Sequence, residues 1–443
     1  MLLKVLMNPS MITLNTKFKL PLKDDFYEVR LSELKRLVVL NLSLVCTDDI
    51  LEVVGNNCRL LQVIHIVSKI GSVAHRTRRQ LNALKLKFFV SDKGLEHLHK
   101  CKFLKTIVMN KVTRSNCGGG KITQDGIRKL LHVLPNVQFI SYNDMGLVLE
   151  KGIDTNQRFN LLHLHDGHLD PLHIDLFFKH CPKLRGLCLM LPPSDSHTSI
   201  PETCLLKLAE SKLTLSSLAL GLFPVDRAFY KFLTVKGNHI TNLSIFHYFT
   251  ITAHTIFLIG QNCPYIEFLE VNLVLCYEED DDDDENFNYS MLKNTQNYNF
   301  FTCLQSLKIL GAKWEPEIII PLCLTNAIYL KHLVLMNKEH YRYIDKIILN
   351  LLKKNPLSKL KSASLLDGFC VTINTLVKLI LGMEDLETIV VTRGSGYKDH
   401  LEQLRTDNNL NLNITTECMI ENDMKNYGNC FCHYWQNGYM QKF

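Results

Sequence analysis

The chain has 443 residues, 46% of them hydrophobic and 21% charged, with a formal net charge of +6. That is apolar enough for a long core, and too mildly basic for a nucleic-acid footprint, which needs a basic stripe with aromatics rather than a small average. The 15 cysteines are an odd number, no window carries the roughly 18 apolar residues of a membrane span, and the apolar start is cut short at Asn8-Pro9, so free thiols in the cytoplasm or nucleus are expected, with no secretory leader and no membrane partner.

Residues 1–30 show no repeat and are read as an N-terminal cap or remnant. From residue 31 a template recurs: apolar, two residues, apolar, one residue, apolar. Leu37-Leu40-Leu42 opens the series, and Leu61-Ile64-Ile66, Leu81-Leu84-Leu86 and Leu104-Ile107-Met109 follow. Val137-Ile140-Tyr142, Phe159-Leu162-Leu164, Leu184-Leu187-Leu189 and Leu215-Leu218-Leu220 continue it. Ile240-Leu243-Ile245, Ile266-Leu269-Val271, Leu304-Leu307-Ile309 and Leu330-Leu333-Leu335 come next. Leu360-Ala363-Leu365 and Leu386-Ile389-Val391 close it, with Leu410-Leu412-Ile414 as an end strand. A single triplet means nothing in a leucine-rich chain, but a recurrence at a mean of about 27 residues falls in the range of a leucine-rich repeat.

Each unit reads as a short half-buried strand followed by a helix. Helical stretches lie at Asp48 to Asn57, Lys93 to Lys100 and Asp125 to Val133. Many open on an apolar residue, a hydroxyl, three residues and an apolar residue: Cys46-Thr47 to Leu51, Val90-Ser91 to Leu95, Ile122-Thr123 to Ile127, Ile251-Thr252 to Ile256 and Val371-Thr372 to Leu376. The hydroxyl is an N-cap for an orphan amide of the first turn. The expected fold is an α/β leucine-rich-repeat solenoid over residues 31–415. It has about 14 strand–helix repeats, a parallel sheet on the concave side and helices outside. Residues 416–443 are read as a C-terminal cap or tail.

Cys58, Cys101, Cys181 and Cys263 each stand three residues before a triplet. No Cys-x-x-Cys or zinc spacing accompanies them, so they read as small polarizable fillers of the turn into the next strand. The cysteine-containing repeat with Thr/Ser-Asp at the helix start, as in Val90-Ser91-Asp92-Lys93-Gly94-Leu95 followed by Cys101, resembles the F-box leucine-rich-repeat family. The resemblance covers residues 31–415. It implies a horseshoe that recognises a protein substrate for a cullin-RING (SCF-type) ubiquitin ligase, with the ligase's adaptor and cullin as further partners. The family's F-box precedes the repeats; ahead of Leu37, only Leu20-Pro21-Leu22-Lys23-Asp24-Asp25-Phe26 resembles a piece of it.

Other motifs read as surface. Gly118-Gly119-Gly120-Lys121-Ile122-Thr123 lacks the first glycine and the hydroxyl after lysine that a phosphate loop needs. His163, His165, His168 and His173, with Asp166, Asp170 and Asp175, read as polar surface rather than metal ligands. The acidic run Glu278 to Glu285, inside an insertion at 277–299, lacks the glycine-turned loop of a calcium site. Cys418, Cys430, Cys432, His433 and Trp435 match no zinc finger and read as a cap. No metal, cofactor, nucleic-acid partner or enzymatic activity is expected.

The longest intervals put their extra residues at Thr113–Lys121, Leu191–Pro201 and Tyr277–Asn299, after the strand and before the helix. These loops share one rim, and insertions on one face often mark a binding face. The candidate partner-binding patch beside that rim is Lys85, Lys87, Asn110, Ser141, Asn143, His163 and His165. It is polar and partly basic, suited to a partner with an acidic or hydrogen-bonding surface.

Overall fold

The computed structural model describes residues 10–15, 31–42, 46–67, 90–110, 122–150, 156–167, 170–191, 199–247, 252–273, 298–311, 315–337, 344–367, 371–392 and 397–417. They fall into two compact units, one up to Leu189 and one within Met190–Cys430. Each unit is a leucine-rich-repeat solenoid.

In the first unit the strands β1 (Thr13–Asn15), β2 (Val39–Leu42), β3 (Val63–Val67), β4 (Thr106–Asn110), β5 (Phe139–Ser141), β6 (His163–Asp166) and β7 (Gly186–Met190) lie side by side in chain order, all parallel. The helices α1 (Asp48–Asn57), α2 (Asp92–His97, extended by a 3-10 turn at Leu98–Lys100), α3 (Gln124–Val133), α4 (Met145–Glu150) and α5 (Pro171–His180) alternate with them. Each helix packs on the next helix of the series. Parallel strands in sequential order, joined by crossovers of one hand, put the helices on one side of the sheet.

The second unit repeats the plan. Its parallel strands, again in chain order, are β8 (Ser217–Gly221), β9 (Asn242–His247), β10 (Phe268–Leu273), β11 (Ser306–Gly311), β12 (His332–Asn337), β13 (Ser362–Asp367), β14 (Thr388–Thr392) and β15 (Asn413–Glu417). Its helices are α6 (Ile200–Glu210), α7 (Arg227–Lys236), α8 (Ala253–Asn262), α9 (Pro316–Leu324), α10 (Ile344–Lys354), α11 (Ile373–Gly382) and α12 (Tyr397–Asp407).

The triplet leucines build the core as expected. Leu37, Leu40 and Leu42 are fully buried, as are Leu61, Ile64 and Ile66, and each such side chain contributes about 1.5–3 kcal/mol relative to exposure. Three details differ from the sequence reading. Segment 1–30, read as a cap, holds β1. In the sixth triplet the buried residues are Leu161 and Leu164, while Leu162 is only half-buried. Leu162 is instead the residue whose carbonyl accepts the Arg185 and Gly186 amides at 2.8 and 3.0 Å. Finally, β3 and β4 hydrogen-bond to each other directly, Val63 opposite Thr106. No strand stands between them at the place given to Leu81-Leu84-Leu86, and those three residues lie outside the described part.

The hydroxyls at the helix starts work in two ways. Thr47, Thr123 and Thr252 cap their own helices, accepting from Ile50, Gly126 and Thr255 amides at 3.2, 3.1 and 3.3 Å. Ser91 and Thr372 sit at the same position but turn to the preceding repeat. The Asp48 carboxylate accepts the Ser91 amide at 2.8 Å and its hydroxyl at 2.5 Å. Asp92 does the same for Thr123, at 2.8 and 2.6 Å, and Asp345 for Thr372, at 2.9 and 3.2 Å. This ladder explains two glycines. A Cβ on Gly94 would meet Asp48 Oδ1 at 2.2 Å, and one on Gly126 would meet Asp92 Oδ1 at 2.0 Å.

Gly126→Ala should therefore displace the Asp92 carboxylate and cost about 2 kcal/mol through lost charge-assisted hydrogen bonds. Gly382→Ala, at a helical position with nothing within 4 Å of the added carbon, should instead raise stability by up to about 1 kcal/mol. Thermal melts of the two variants against the parent measure this, and shifts of the same sign would contradict it.

Candidate functional site

Counting the first residue of a triplet as position 1, positions 4 and 6 face the helices and positions 3, 5 and 7 face the other way, as strand alternation requires. Register then stacks position 5 into a column. In the first unit it runs Asn41, His65, Val108, Ser141, His165, Cys188. In the second it runs Ala219, Ser244, Glu270, Lys308, Val334, Ser364, Val390, Thr415.

The structure brings part of the expected patch together. Ser141 and His165 are register partners, and Ser141 Oγ lies 2.9 Å from His165 Nδ1. His163 projects from the same face of β6, its ring 6.4 Å from that of Phe139. Asn143 is half-buried in the turn after β5, where its carbonyl accepts the Gly167 amide at 2.9 Å. Asn110 ends β4. Lys85 and Lys87 lie outside the described residues.

These side chains are not the open surface that the sequence suggested. Ser141, His165 and His163 are only 1%, 5% and 7% exposed, each flanked by register neighbours. A buried polar group needs a partner, which the Ser141–His165 hydrogen bond supplies. Burial, reinforced by the Arg185 charge, lowers the His163 pKa to about 4. In the second unit the corresponding sheet face is open on β12 to β15. His332 and Asn413 are exposed there, and Val334, Ser362, Ser364, Thr388, Val390 and Thr415 are part-exposed. His332 Nδ1 lies 2.9 Å from Ser362 Oγ. Beside it, Glu270 and Lys308 form a buried ion pair at 2.8 Å across β10 and β11. Strand parity would have found all of these residues; their differing exposure has no signal in the triplets.

The histidine–aspartate cluster resolves into a structural pair. Asp166 occupies position 6, where Leu42, Ile66, Met109 and Tyr142 stand in neighbouring repeats, and it is fully buried. Its Oδ2 accepts the Gly146 amide at 3.2 Å and lies 3.2 Å from His173 Nδ1. A Cβ on Gly146 would fall 1.9 Å from that nitrogen, so only glycine admits the ring. The same Nδ1 lies 3.3 Å from the Asp170 amide, in the N-cap box of α5. Protonated, it donates to Asp166; deprotonated, it accepts from Asp170. It cannot do both at once. Burial pulls the His173 pKa down, but the hydrogen bond and charge of Asp166, with Asp170 and Glu150 behind it, raise it above the ordinary value. His168 lies outside the described residues, and among those described no three His, Cys, Asp or Glu side chains converge as metal ligands.

The turn cysteines are buried fillers. Cys58 Sγ donates to the Leu31 carbonyl at 3.8 Å and Cys101 Sγ to the Cys58 carbonyl at 3.7 Å. Burial raises the thiols of Cys58, Cys181 and Cys263 to about 12. It raises Cys101 to about 11 against the opposing Arg59 charge. Leu134, Phe301 and Met383, buried to within 3%, hold the equivalent place in other repeats, so the position selects for packing. The glycine loop from Gly118 to Lys121, the acidic run Glu278–Glu285, and Cys418, Cys430, Cys432, His433 and Trp435 lie outside the described residues. So does most of the three rim loops.

No protein-family model matches the chain, and no curated protein does. Among solved structures it is similar to one described as a Rad7 and Elc1 complex in yeast, with 12% identity, 85% of this chain and 82% of that chain covered, and a TM-score of 0.49. It is also similar to one described as a TLR13–ssRNA13 complex, with 16% identity, 87% and 47% covered, and a TM-score of 0.30.

The raised His173 pKa has a definite sign. The stabilisation it reports is fully present below about pH 6.5, the unfolded histidine value, and fades as pH rises through the higher folded pKa. The stability advantage of the parent over His173→Gln should therefore shrink between pH 6 and pH 8 in denaturant melts. An advantage that stays constant or grows would refute the assignment.

Proposed function

We propose that the chain is a protein-binding module that selects a protein substrate for a cullin-RING (SCF-type) ubiquitin ligase in the cytoplasm or nucleus, with no catalytic chemistry or cofactor of its own. The observation that carries the binding role is the open sheet face from β12 to β15. It is a fixed, hydrogen-bonded platform whose part-exposed side chains alternate polar and apolar. Such a mixture suits a protein surface, where apolar anchors bind and polar neighbours fix orientation. In the first unit the corresponding face is proposed to include Asn110, Ser141, Asn143, His163 and His165, with Ser141, His163 and His165 as its rigid floor; Lys85 and Lys87, expected with them from the sequence, lie outside the described residues. The ligase assignment is supported by the resemblance in repeat subtype, whose Ser/Thr–Asp start is the interlocking ladder from Asp48 to Thr123.

Affinity capture of the tagged full chain followed by mass spectrometry tests both parts. Cullin, its adaptor and a substrate protein are expected together. Ser364→Arg combined with Val390→Arg should lower substrate recovery by at least about tenfold while retaining adaptor, cullin and the parent melting temperature. Capture of a partner without cullin or adaptor would refute the ligase assignment and leave an interaction scaffold. Undiminished substrate recovery by the double variant would refute the face.

A further inference from the structure

We infer that the turn edge of the first unit, where helices give way to strands, is a second docking surface that binds an acidic segment of a protein partner bearing large apolar side chains. This edge is separate from the sheet face proposed above.

Three consecutive turns have one geometry. The Leu37 amide donates to the Leu34 carbonyl at 3.2 Å, Leu61 to Cys58 at 3.2 Å and Leu104 to Cys101 at 3.0 Å. The strands they lead into, β2, β3 and β4, pair directly. Lys35, Arg59 and Lys102 therefore occupy one place in three stacked turns, and Arg36, Leu60 and Phe103 the next. Successive turns are spaced by about 4.8 Å at the backbone. All six side chains are exposed, and Leu60 and Phe103 keep 46% and 57% of their surface open. Lys100 and Lys105 add two more exposed cations. At the next turn the pattern stops at Pro135-Asn136, where the Asn136 amide group donates to the Lys102 carbonyl at 3.3 Å.

The charge arrangement is what singles this edge out. Among the described residues, Lys35, Arg36, Arg59, Lys102 and Lys105 have no carboxylate within ion-pair distance. At the comparable edge of the second unit two cations of the β13 repeat are paired with carboxylates of the β14 repeat, Lys361 with Glu387 at 2.9 Å and Lys359 with Asp385 at 3.8 Å. Like charges in register on adjacent strands repel, so the first unit's column is at a disadvantage until an anion lies along it. The apolar step at Leu60 and Phe103 defines the anion's chemistry. A single-stranded nucleic acid would use aromatic platforms for successive bases, and Leu60 has no π-face to offer. A peptide with carboxylates on either side of a large apolar residue satisfies both features. The column spans about 10 Å, the length of three or four extended residues.

The test is fluorescence anisotropy of the full chain with a labelled Glu-Asp-Leu-Phe-Glu-Asp peptide. Comparators are a Lys-Lys-Leu-Phe-Lys-Lys peptide, a labelled oligouridine and phosphatidylserine vesicles. Binding to the acidic peptide alone, weakened by added salt, is expected. R59E combined with K102E should weaken it about tenfold, as should K35E with K105E should the first pair fail to fold. L60S with F103S should weaken it while keeping the salt dependence. The Ser364→Arg/Val390→Arg variant should bind the peptide like the parent, which separates this surface from the sheet face. No binding of the acidic peptide, equal binding by both folded charge-reversed variants, or tighter binding of oligouridine or vesicles would overturn the proposal.

Discussion

Everything in each unit hangs on one backbone contact. The carbonyl at position 2 of most repeats accepts two amides from the next strand. Val38 takes those of Gln62 and Val63 at 2.9 and 3.0 Å, Gln62 those of Lys105 and Thr106 at 2.8 and 3.0 Å, and Lys105 those of Gln138 and Phe139 at 2.8 and 3.0 Å. In the second unit Thr241, Glu267, Gln305, Lys331 and Lys361 do the same. A forked acceptor fixes both the distance and the slide of one strand against the next. A slip of one residue would also turn each strand's leucines out of the core. Because the fork is made by backbone atoms, that position holds Val, Gln, Lys, Leu, Thr and Glu alike, and Thr241 adds its side chain, donating its hydroxyl to the Ser216 carbonyl at 3.1 Å.

Once slide is fixed, a repeat position becomes a column, and the chemistry of a column is set by what its neighbours are rather than by any one residue. Asp48 can hold Ser91, and Asp92 hold Thr123, only because successive helices begin at the same height. Gly94 and Gly126 follow from that, since the carboxylate of the previous repeat fills the space of their missing side chain. The same logic explains the turn cysteines. Their column is a small sealed space beneath the strand start, and Cys, Leu, Met and Phe fill it as the local depth demands. A thiol held there by burial has little thiolate at neutral pH and correspondingly little reactivity.

The periodic part of this fold was legible in the sequence because hydrophobic burial at positions 1, 4 and 6 repeats in every unit. The helix at Asp48–Asn57 was placed to the residue. What the periodicity could not resolve were places where the pattern is degenerate or deliberately broken. Phe159-Leu162-Leu164 fitted the template because Leu161 and Leu162 are adjacent leucines, and only the carbonyl contacts of Leu162 show which is which. Asp166 hid the right register further, since an acid at position 6 looks like the end of a strand. The Leu81 triplet fitted equally well, yet β3 and β4 are immediate neighbours. Two helices depart from the hydroxyl pattern, since α5 and α7 are capped by the carboxylates of Asp170 and Asp226.

Burial of the helix-free face is the property least accessible to sequence, and it decides where a partner can sit. Alternation correctly put His163, His165 and Ser141 on that face, but a face is a direction, not an exposure. Polar side chains on closely spaced strands can satisfy one another, as Ser141 and His165 do, and then present little to solvent. Glu270 and Lys308 go further, since their mutual charge offsets the desolvation that each would suffer alone. Such pairs stiffen the platform without being available to a ligand. At β12 to β15 the column is instead Val334, Ser364, Val390 and Thr415, all part-exposed. Side-chain length alone does not set that exposure, since Ala219 and Ser244, in the same column and no longer than Ser364, are only 1% and 2% exposed; exposure is a property of several repeats together that no single repeat contains.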